Sequence, residues 1–269
     1  MAADTASTDT QEWQRYDPNQ RRLRFLGLLG ALMLVVVAWR QLNVNWVYVW
    51  DAHIQAADIL GRMFPPETAA TPELLSPLLE SIQIAILGTG FSILMSIPVA
   101  YIAAENTAPN RYLNFIGKLI ITLARSVDVI IWVLVLVILF GPGALVSIIA
   151  ISFRSIGFIG KLLAEAIEEM DATQVEAVAG TGASGFETLI YGVVPQIKPA
   201  FISISAFRWD SNVRTSTIVG LVGGGGIGAS LSSALTLYQW SRVLMILVIV
   251  LIVVLFSEWI SAYLREKVR

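Results

Sequence analysis

Polar and apolar positions divide this chain into long blocks rather than a short-period alternation. Residues 1–22 are polar, lack apolar periodicity, and read as a tail without packed structure. An apolar run follows over residues 23–42, and others cover 76–104, 113–140, 144–164, 196–221 and 240–264. Each has at least the roughly 20 residues that cross a bilayer as a helix. The first run follows a long polar lead and lacks a small-residue cleavage site near Trp39-Arg40. It therefore reads as an uncleaved helix rather than a signal peptide. Ser76-Pro77 suits the start of the second run, with Ser at the N-cap and Pro at the first helical position. The pattern predicts an all-α integral membrane protein with about six transmembrane helices: one N-terminal helix, then a five-helix core over 76–264.

Charge orients this arrangement. Arg15, Arg21, Arg22 and Arg24 precede or open the first helix, and the tail 265–269 is basic. The positive-inside rule places both ends in the cytoplasm, which an even number of crossings satisfies. Alternation then puts 43–75 outside, 105–112 inside, Gly141-Pro142-Gly143 outside, 165–195 inside and 222–239 outside. The segment 43–75 holds Asp51, Asp58, Glu67, Glu73 and the Pro65-Pro66 break, and reads as an external loop. Its Trp46, Tyr48 and Trp50 suit an interfacial aromatic belt, and His53 reads as an ordinary surface or interfacial residue.

Composition narrows the function classes. The chain of 269 residues is 56% hydrophobic and 14% charged, with mean hydropathy +0.71. Soluble domains carry about 25% charged residues, so an ordinary soluble enzyme, a disordered chain and a nucleic-acid binder are all improbable. Eighteen Lys and Arg against 20 Asp and Glu leave a net charge of −2, with no basic surface for a polyanion. There is no cysteine and one histidine, which excludes thiolate and His-cluster metal sites. No catalytic constellation is expected.

The few charges inside the apolar runs are more telling. Arg125 and Asp128 lie near the middle of 113–140, Arg154 at the middle of 144–164, and Arg208 and Asp210 at the middle of 196–221. Arg214 follows six residues after Arg208, about 9 Å further along a helix. A charge at the bilayer centre costs about 2.5–3.5 kcal/mol on insertion scales, so these residues face the bundle interior, pair, or line a hydrated path. Arg125/Asp128 (i,i+3) and Asp210/Arg214 (i,i+4) are spaced to pair on one helix face. Four arginines against two aspartates still leave +2, which suits an anion path or gate.

Residues 165–195 form a long polar segment, yet Ala, Glu, Leu and Val dominate it. Gly180, Gly182 and Gly185 divide it into two short helical pieces, a shape suited to docking in a partner's cleft. Gly180-x-Gly182-x-x-Gly185 and Gly223-x-Gly225-x-x-Gly228 both match the dinucleotide fingerprint. Neither follows a predicted strand, and the chain has no Gly-Lys-Ser/Thr phosphate loop, so neither reads as a nucleotide site. Gly223, Gly224, Gly225, Gly226 and Gly228 read instead as a tight turn at the outer membrane face, where glycine tolerates positive φ.

Glu176-Ala177-Val178, three residues, Gly182, and Val194-Pro195 after a further run resemble the EAA loop of ATP-binding-cassette (ABC) importer permeases. The family spacing fits throughout. The departures are Val178 for Ala, Gly192 for Ile and Val194 for Leu. Three stretches resemble the phosphonate permease (PhnE) family in particular: Arg125 to Trp132, Glu176 to Pro195, and Asn212-Val213-Arg214 leading to Gly220–Gly228. Val127 and Asp210 depart from that pattern, which has Pro and Glu there. The resemblance implies a type I ABC importer core whose 165–195 loop forms coupling helices, with Glu176, Ala177, Gly180, Gly182 and Pro195 as ATPase-coupling residues. It further implies two cytoplasmic ABC ATPase subunits carrying ATP and Mg, an external substrate-binding protein, a homodimer with an interior charge of +4, and a bacterial inner membrane. No cofactor is expected on this chain. The implied solute is phosphonate, phosphate or a related phosphorus oxyanion. The rival readings are an ABC permease for another small solute, and an ATP-independent anion transporter or channel, which leaves the 165–195 segment without a role.

Overall fold

The computed structural model describes residues 18–42 and 44–267; most of the expected N-terminal tail and the last two residues lie outside that range. The chain divides at Asp58/Ile59 into two compact units. In the first, α1 (Pro18–Gln41) opens earlier than its apolar run, taking in the basic residues 21 and 22 that were assigned to the tail. Its residues are exposed all round, as suits a helix surrounded by lipid. Most of 43–75, expected as a loop, is helical: α2 spans Trp46–Met63. Asp51, Gln55, Asp58 and Arg62 recur at helical spacing and form one polar stripe, and the Asn45 side chain accepts from Val47 N–H at 3.2 Å near the helix start.

In the second unit a short 3-10 turn at Thr68–Ala70 leads into α3 (Thr71–Ala103). The expected start at Ser76-Pro77 is corrected to Thr71-Pro72. The Thr71 hydroxyl donates to Thr68 O at 2.7 Å and Pro72 supplies the fixed first turn, while Pro77 lies inside the helix. A proline there removes one backbone hydrogen bond, and the apolar run continues through it.

The run 113–140 is two helices, α4 (Arg111–Ser126) and α5 (Val129–Phe140), bent by 87°. Val127 is extended, and the Asp128 carboxylate accepts from Ile130 N–H at 3.0 Å as the N-cap of α5. Next come α6 (Ala144–Glu168), the short helices α7 (Ala172–Gly180) and α8 (Gly185–Thr188), and a π-helical turn at Leu189–Val193. α9 (Val194–Val219) runs into the glycine segment 220–226. The expected loop 222–239 contains an eleven-residue helix, α10 (Gly226–Thr236), before α11 (Trp240–Glu266). Among the described residues five helical segments are long and apolar enough to cross a membrane, or six if the bent α4–α5 pair is one broken span. The protein is a multi-pass membrane protein.

α3 runs through all three apolar clusters of the core. Leu74 packs with Ile227, Leu231, Val243 and Ile246; Ile84 with Val133, Val146, Ile151 and Val219; Ala100 and Ala103 with Ile121, Leu163 and Ile167. Ala85, Gly88, Ser92 and Ser96 are buried along it, and such small residues let α6 approach closely. α6 and α9 run in opposite directions between the α7–α8 end of the bundle and the glycine-turn end.

Candidate functional site

Where α3, α6 and α9 meet, a polar network crosses the bundle. On α9, Asn212 is fully buried; its amide donates to Thr89 Oγ1 on α3 at 2.9 Å and lies 3.2 Å from Ser155 Oγ on α6. Ser155 also accepts from Arg208 Nε at 2.7 Å. Arg208 is 6% exposed, and its guanidinium lies over the Phe158 ring at 5.1 Å, with Phe207 stacked behind at 5.8 Å. Among the described residues no carboxylate is in ion-pair range of Arg208. A buried cation without a counter-charge is unfavourable unless an anion reaches it. The planar guanidinium is suited to two-point contact with a tetrahedral oxyanion.

Asp210 and Arg214 pair as their spacing predicted, at 2.7 Å, and Ser257 on α11 donates to the other Asp210 oxygen at 3.0 Å. Arg125 and Asp128 do not pair on one helix face. The chain breaks between them, and Asp128 turns to Arg154 on α6 at 3.4 Å. Both partners of that bridge are substantially exposed, so it contributes little to stability. The +2 left from four arginines and two aspartates thus resides on Arg125 and Arg208. The stem of Arg125 lies across Gly157, where an added Cβ would sit 2.7 Å from its Cγ. Only a glycine on α6 leaves room for that stem.

Hydropathy reasoning passed over three groups. Thr89, Ser155 and Asn212 look unremarkable singly and acquire meaning only through the register of three helices. Trp132, one helical turn after Asp128, packs edge-on against Phe153 at 4.9 Å, and its buried indole N–H has no hydrogen-bond partner among the described residues. Gln196, at the α7–α8 end of the bundle, is the third.

At the α7–α8 end, Asp171 caps α7 by accepting from Thr173 N–H at 2.9 Å. Hydrogen bonds from Thr173 hold the Asp171 carboxyl below the usual carboxylate range. Glu176, Ala177 and Gly180 lie exposed on α7, Gly182 turns the chain with φ +85°, and Ser184 and Glu187 form a reciprocal capping box at α8. Gln196 follows Pro195 on the first turn of α9. Its carbonyl accepts from Asp171 N–H at 2.9 Å, and its amide donates to Gly192 O at 2.9 Å and Asp171 O at 3.4 Å. Gly192, one of the departures noted in the loop, packs against Val175 on α7. The start of α7 is therefore tied to the start of the helix that carries Arg208.

At the opposite end Gly223, Gly225 and Gly226 have φ of +99°, +80° and +66°. Here Gly224 O accepts from Ser147 Oγ at 2.7 Å, Gly223 O from Gly143 N–H at 2.9 Å, and Ile227 N–H donates to Ser81 Oγ at 2.8 Å. The turn joins α3, α6 and α9. Side chains would strike Ser147, Glu80 and Ser81 at positions 224, 225 and 226, and Thr217 O at 228. No group of three or more metal-ligating side chains occurs among the described residues.

Residues 96–269 match the family model described as binding-protein-dependent transport system inner membrane component. The phosphite transport system permease protein PtxC of Stutzerimonas stutzeri is 35% identical over 210 residues, 78% of this chain and 76% of that one. The phosphate-import permease protein PhnE of Mycolicibacterium smegmatis is 34% identical over 208 residues, 77% of this chain and 39% of that protein. Among solved structures, a chain of the inward-facing MetNI methionine ABC transporter has a TM-score of 0.67 at 20% identity, covering 76% of this chain and 99% of that one.

Proposed function

This chain belongs to the family of binding-protein-dependent transport system inner membrane components, and from that premise we propose that it is the permease of an importer for a phosphorus oxyanion. Phosphite, phosphate or a phosphonate is the solute class, in keeping with the names of the relatives. The observation that carries the reading is Arg208, buried at the crossing of α3, α6 and α9 without a carboxylate. An interior with surplus positive charge lowers the barrier for an anion and raises it for a cation.

The partners are two cytoplasmic ABC ATPase subunits, which hold ATP and Mg, and an external binding protein that delivers the anion. A second copy of this chain completes the path in a bacterial inner membrane, with both termini cytoplasmic. The segment 165–195 is the ATPase contact, with exposed Glu176, Ala177, Gly180 and Gly182 on the docking side and Pro195 opening α9. Closure of the ATPase pair moves α7, and Gln196 passes that movement to α9. Arg208, Asp210 and Arg214 then turn from an outward-facing to an inward-facing arrangement, a two-state element biased by partner binding. The glycine turn is the outer seal.

Co-expression with a Walker-motif ATPase encoded alongside is expected to yield a stable complex that takes up a labelled phosphorus oxyanion in proteoliposomes. In the same complex Arg208→Ala is expected to lower uptake by about tenfold or more, equivalent to about 1.4 kcal/mol, with assembly unchanged. Unchanged uptake in that variant would remove the anion-path role of Arg208.

A further inference from the structure

An open pocket of about 580 Å³, lined by charged and apolar side chains, lies between α4 and the latter half of α6, away from the Arg208 crossing. Lys118, Thr122, Arg125, Ser126 and Lys161 line it, together with the carboxylates of Glu165 and Glu168. It runs from the bend at Ser126 toward the α7–α8 end of the bundle: Lys118 precedes Arg125 by seven residues, about 10 Å along α4. We propose that this cavity is an inner anion site, in which Arg125, Lys161 and Lys118 hold the transported oxyanion after it leaves the Arg208 crossing and before it reaches the cytoplasm. The proposal rests on the transport reading above and extends it from Arg125 to Lys118 and Lys161, which that reading does not use.

The charge balance explains why such a site would bind weakly. Each lysine already has a carboxylate: Lys118 pairs with Glu105 at 2.6 Å and Lys161 with Glu165 at 3.3 Å, all four side chains about half exposed or more. Glu168 is occupied in part by the backbone, accepting from Glu105 N–H at 2.9 Å. Arg125 has no carboxylate partner among the described residues, and Gly157 leaves room for its stem. With Glu105 counted beside Lys118, three cations face three carboxylates, so the pocket is neutral overall and Arg125 is its one cation without a carboxylate partner among the described residues. Half-exposed ion pairs are worth about 0–1 kcal/mol, so an incoming dianion can displace a carboxylate from a lysine and be displaced by it in turn. A path needs stations strong enough to enter and weak enough to leave. Exchange between an oxyanion and resident glutamates provides both.

The test uses the complete permease–ATPase complex. Amine acylation of Lys118 and Lys161 is followed by mass spectrometry at constant ionic strength, with chloride alone or with inorganic phosphate, phosphite or methylphosphonate. The transported anion is expected to slow acylation of both lysines severalfold, and Arg125→Gln to abolish that protection. The double variant Lys118→Gln/Lys161→Gln is expected to lower uptake about tenfold while ATP hydrolysis stimulated by the loaded binding protein is retained. Reactivity that no anion alters, protection that survives Arg125→Gln, or normal uptake in the double variant would overturn the site. A wild-type complex that transports none of the three anions would instead overturn the oxyanion reading on which the site depends.

Discussion

Asn212 shows how much one side chain can hold together in a lipid-surrounded bundle. It bridges Thr89 on α3 and Ser155 on α6, and Ser155 in turn receives Arg208. Asn212→Leu leaves two buried hydroxyls with fewer partners and is expected to destabilise the complex by about 1–3 kcal/mol, read as a lower thermal midpoint in detergent. Its uptake is expected to fall further than its stability, because Ser155, which accepts from Arg208 Nε, loses the Asn212 amide that orients its hydroxyl. A loss of uptake no larger than the loss of folded complex would give Asn212 a packing role only. At this scale local spacing was legible and register was not. Asp210 and Arg214 are four residues apart and pair as any helix would bring them together. The same reasoning failed for Arg125 and Asp128 because it presumed an unbroken helix.

That break belongs to the scale of elements. A hydropathy window sees 113–140 as one apolar run, since neither proline nor glycine marks the corner. What turns the chain is a β-branched Val127 in extended conformation followed by an Asp that caps the next helix. Capping chemistry was the available signal and mean apolarity concealed it. Glycine and cap signals did mark the 165–195 segment, where α7 ends at Gly180 and α8 begins at Gly185. The link from this segment to α9 was not visible, because Gln196 acts through contacts 25 residues away. Gln196→Leu is expected to leave the permease bound to its ATPase and hydrolysing ATP, while uptake per ATP falls at least severalfold; Gln196→Glu, which keeps the acceptor for Asp171 N–H, should recover part of it. Equal uptake per ATP in wild type and Gln196→Leu would assign the transmission of movement elsewhere. Glu176→Lys, by contrast, is expected to weaken ATPase binding itself, seen as loss of co-purification.

For the molecule as a whole, hydropathy predicted about six crossings, and the helices supply five, or six if the bent pair is one span. α2 and α10 were not foreseen as helices: each is too short or too polar to register as a span, and each fell where alternation called for a loop. Their signals were a polar stripe at helical spacing in α2 and, in α10, burial of Ile227, Leu231 and Ala234 against α3 and α11. At this scale the proposed assembly makes its own prediction. Native mass spectrometry of the purified complex is expected to find two copies of this chain with two ATPase subunits, and a single copy per complex would halve the interior surplus charge argued for the path.

Arg125 and Arg208 also bear on why such a permease needs an ATPase at all. Fixed charges along a path alter the height of the barrier between two compartments and leave the free energies of the compartments untouched. An anion entering a cell whose interior is electrically negative climbs about 2.3 kcal/mol per charge for each 100 mV. A positive interior therefore hastens escape as readily as entry. Without alternating closure at the glycine turn and the α7–α8 end, these two arginines would make the protein a leak that drains the cell of the anion it was meant to accumulate.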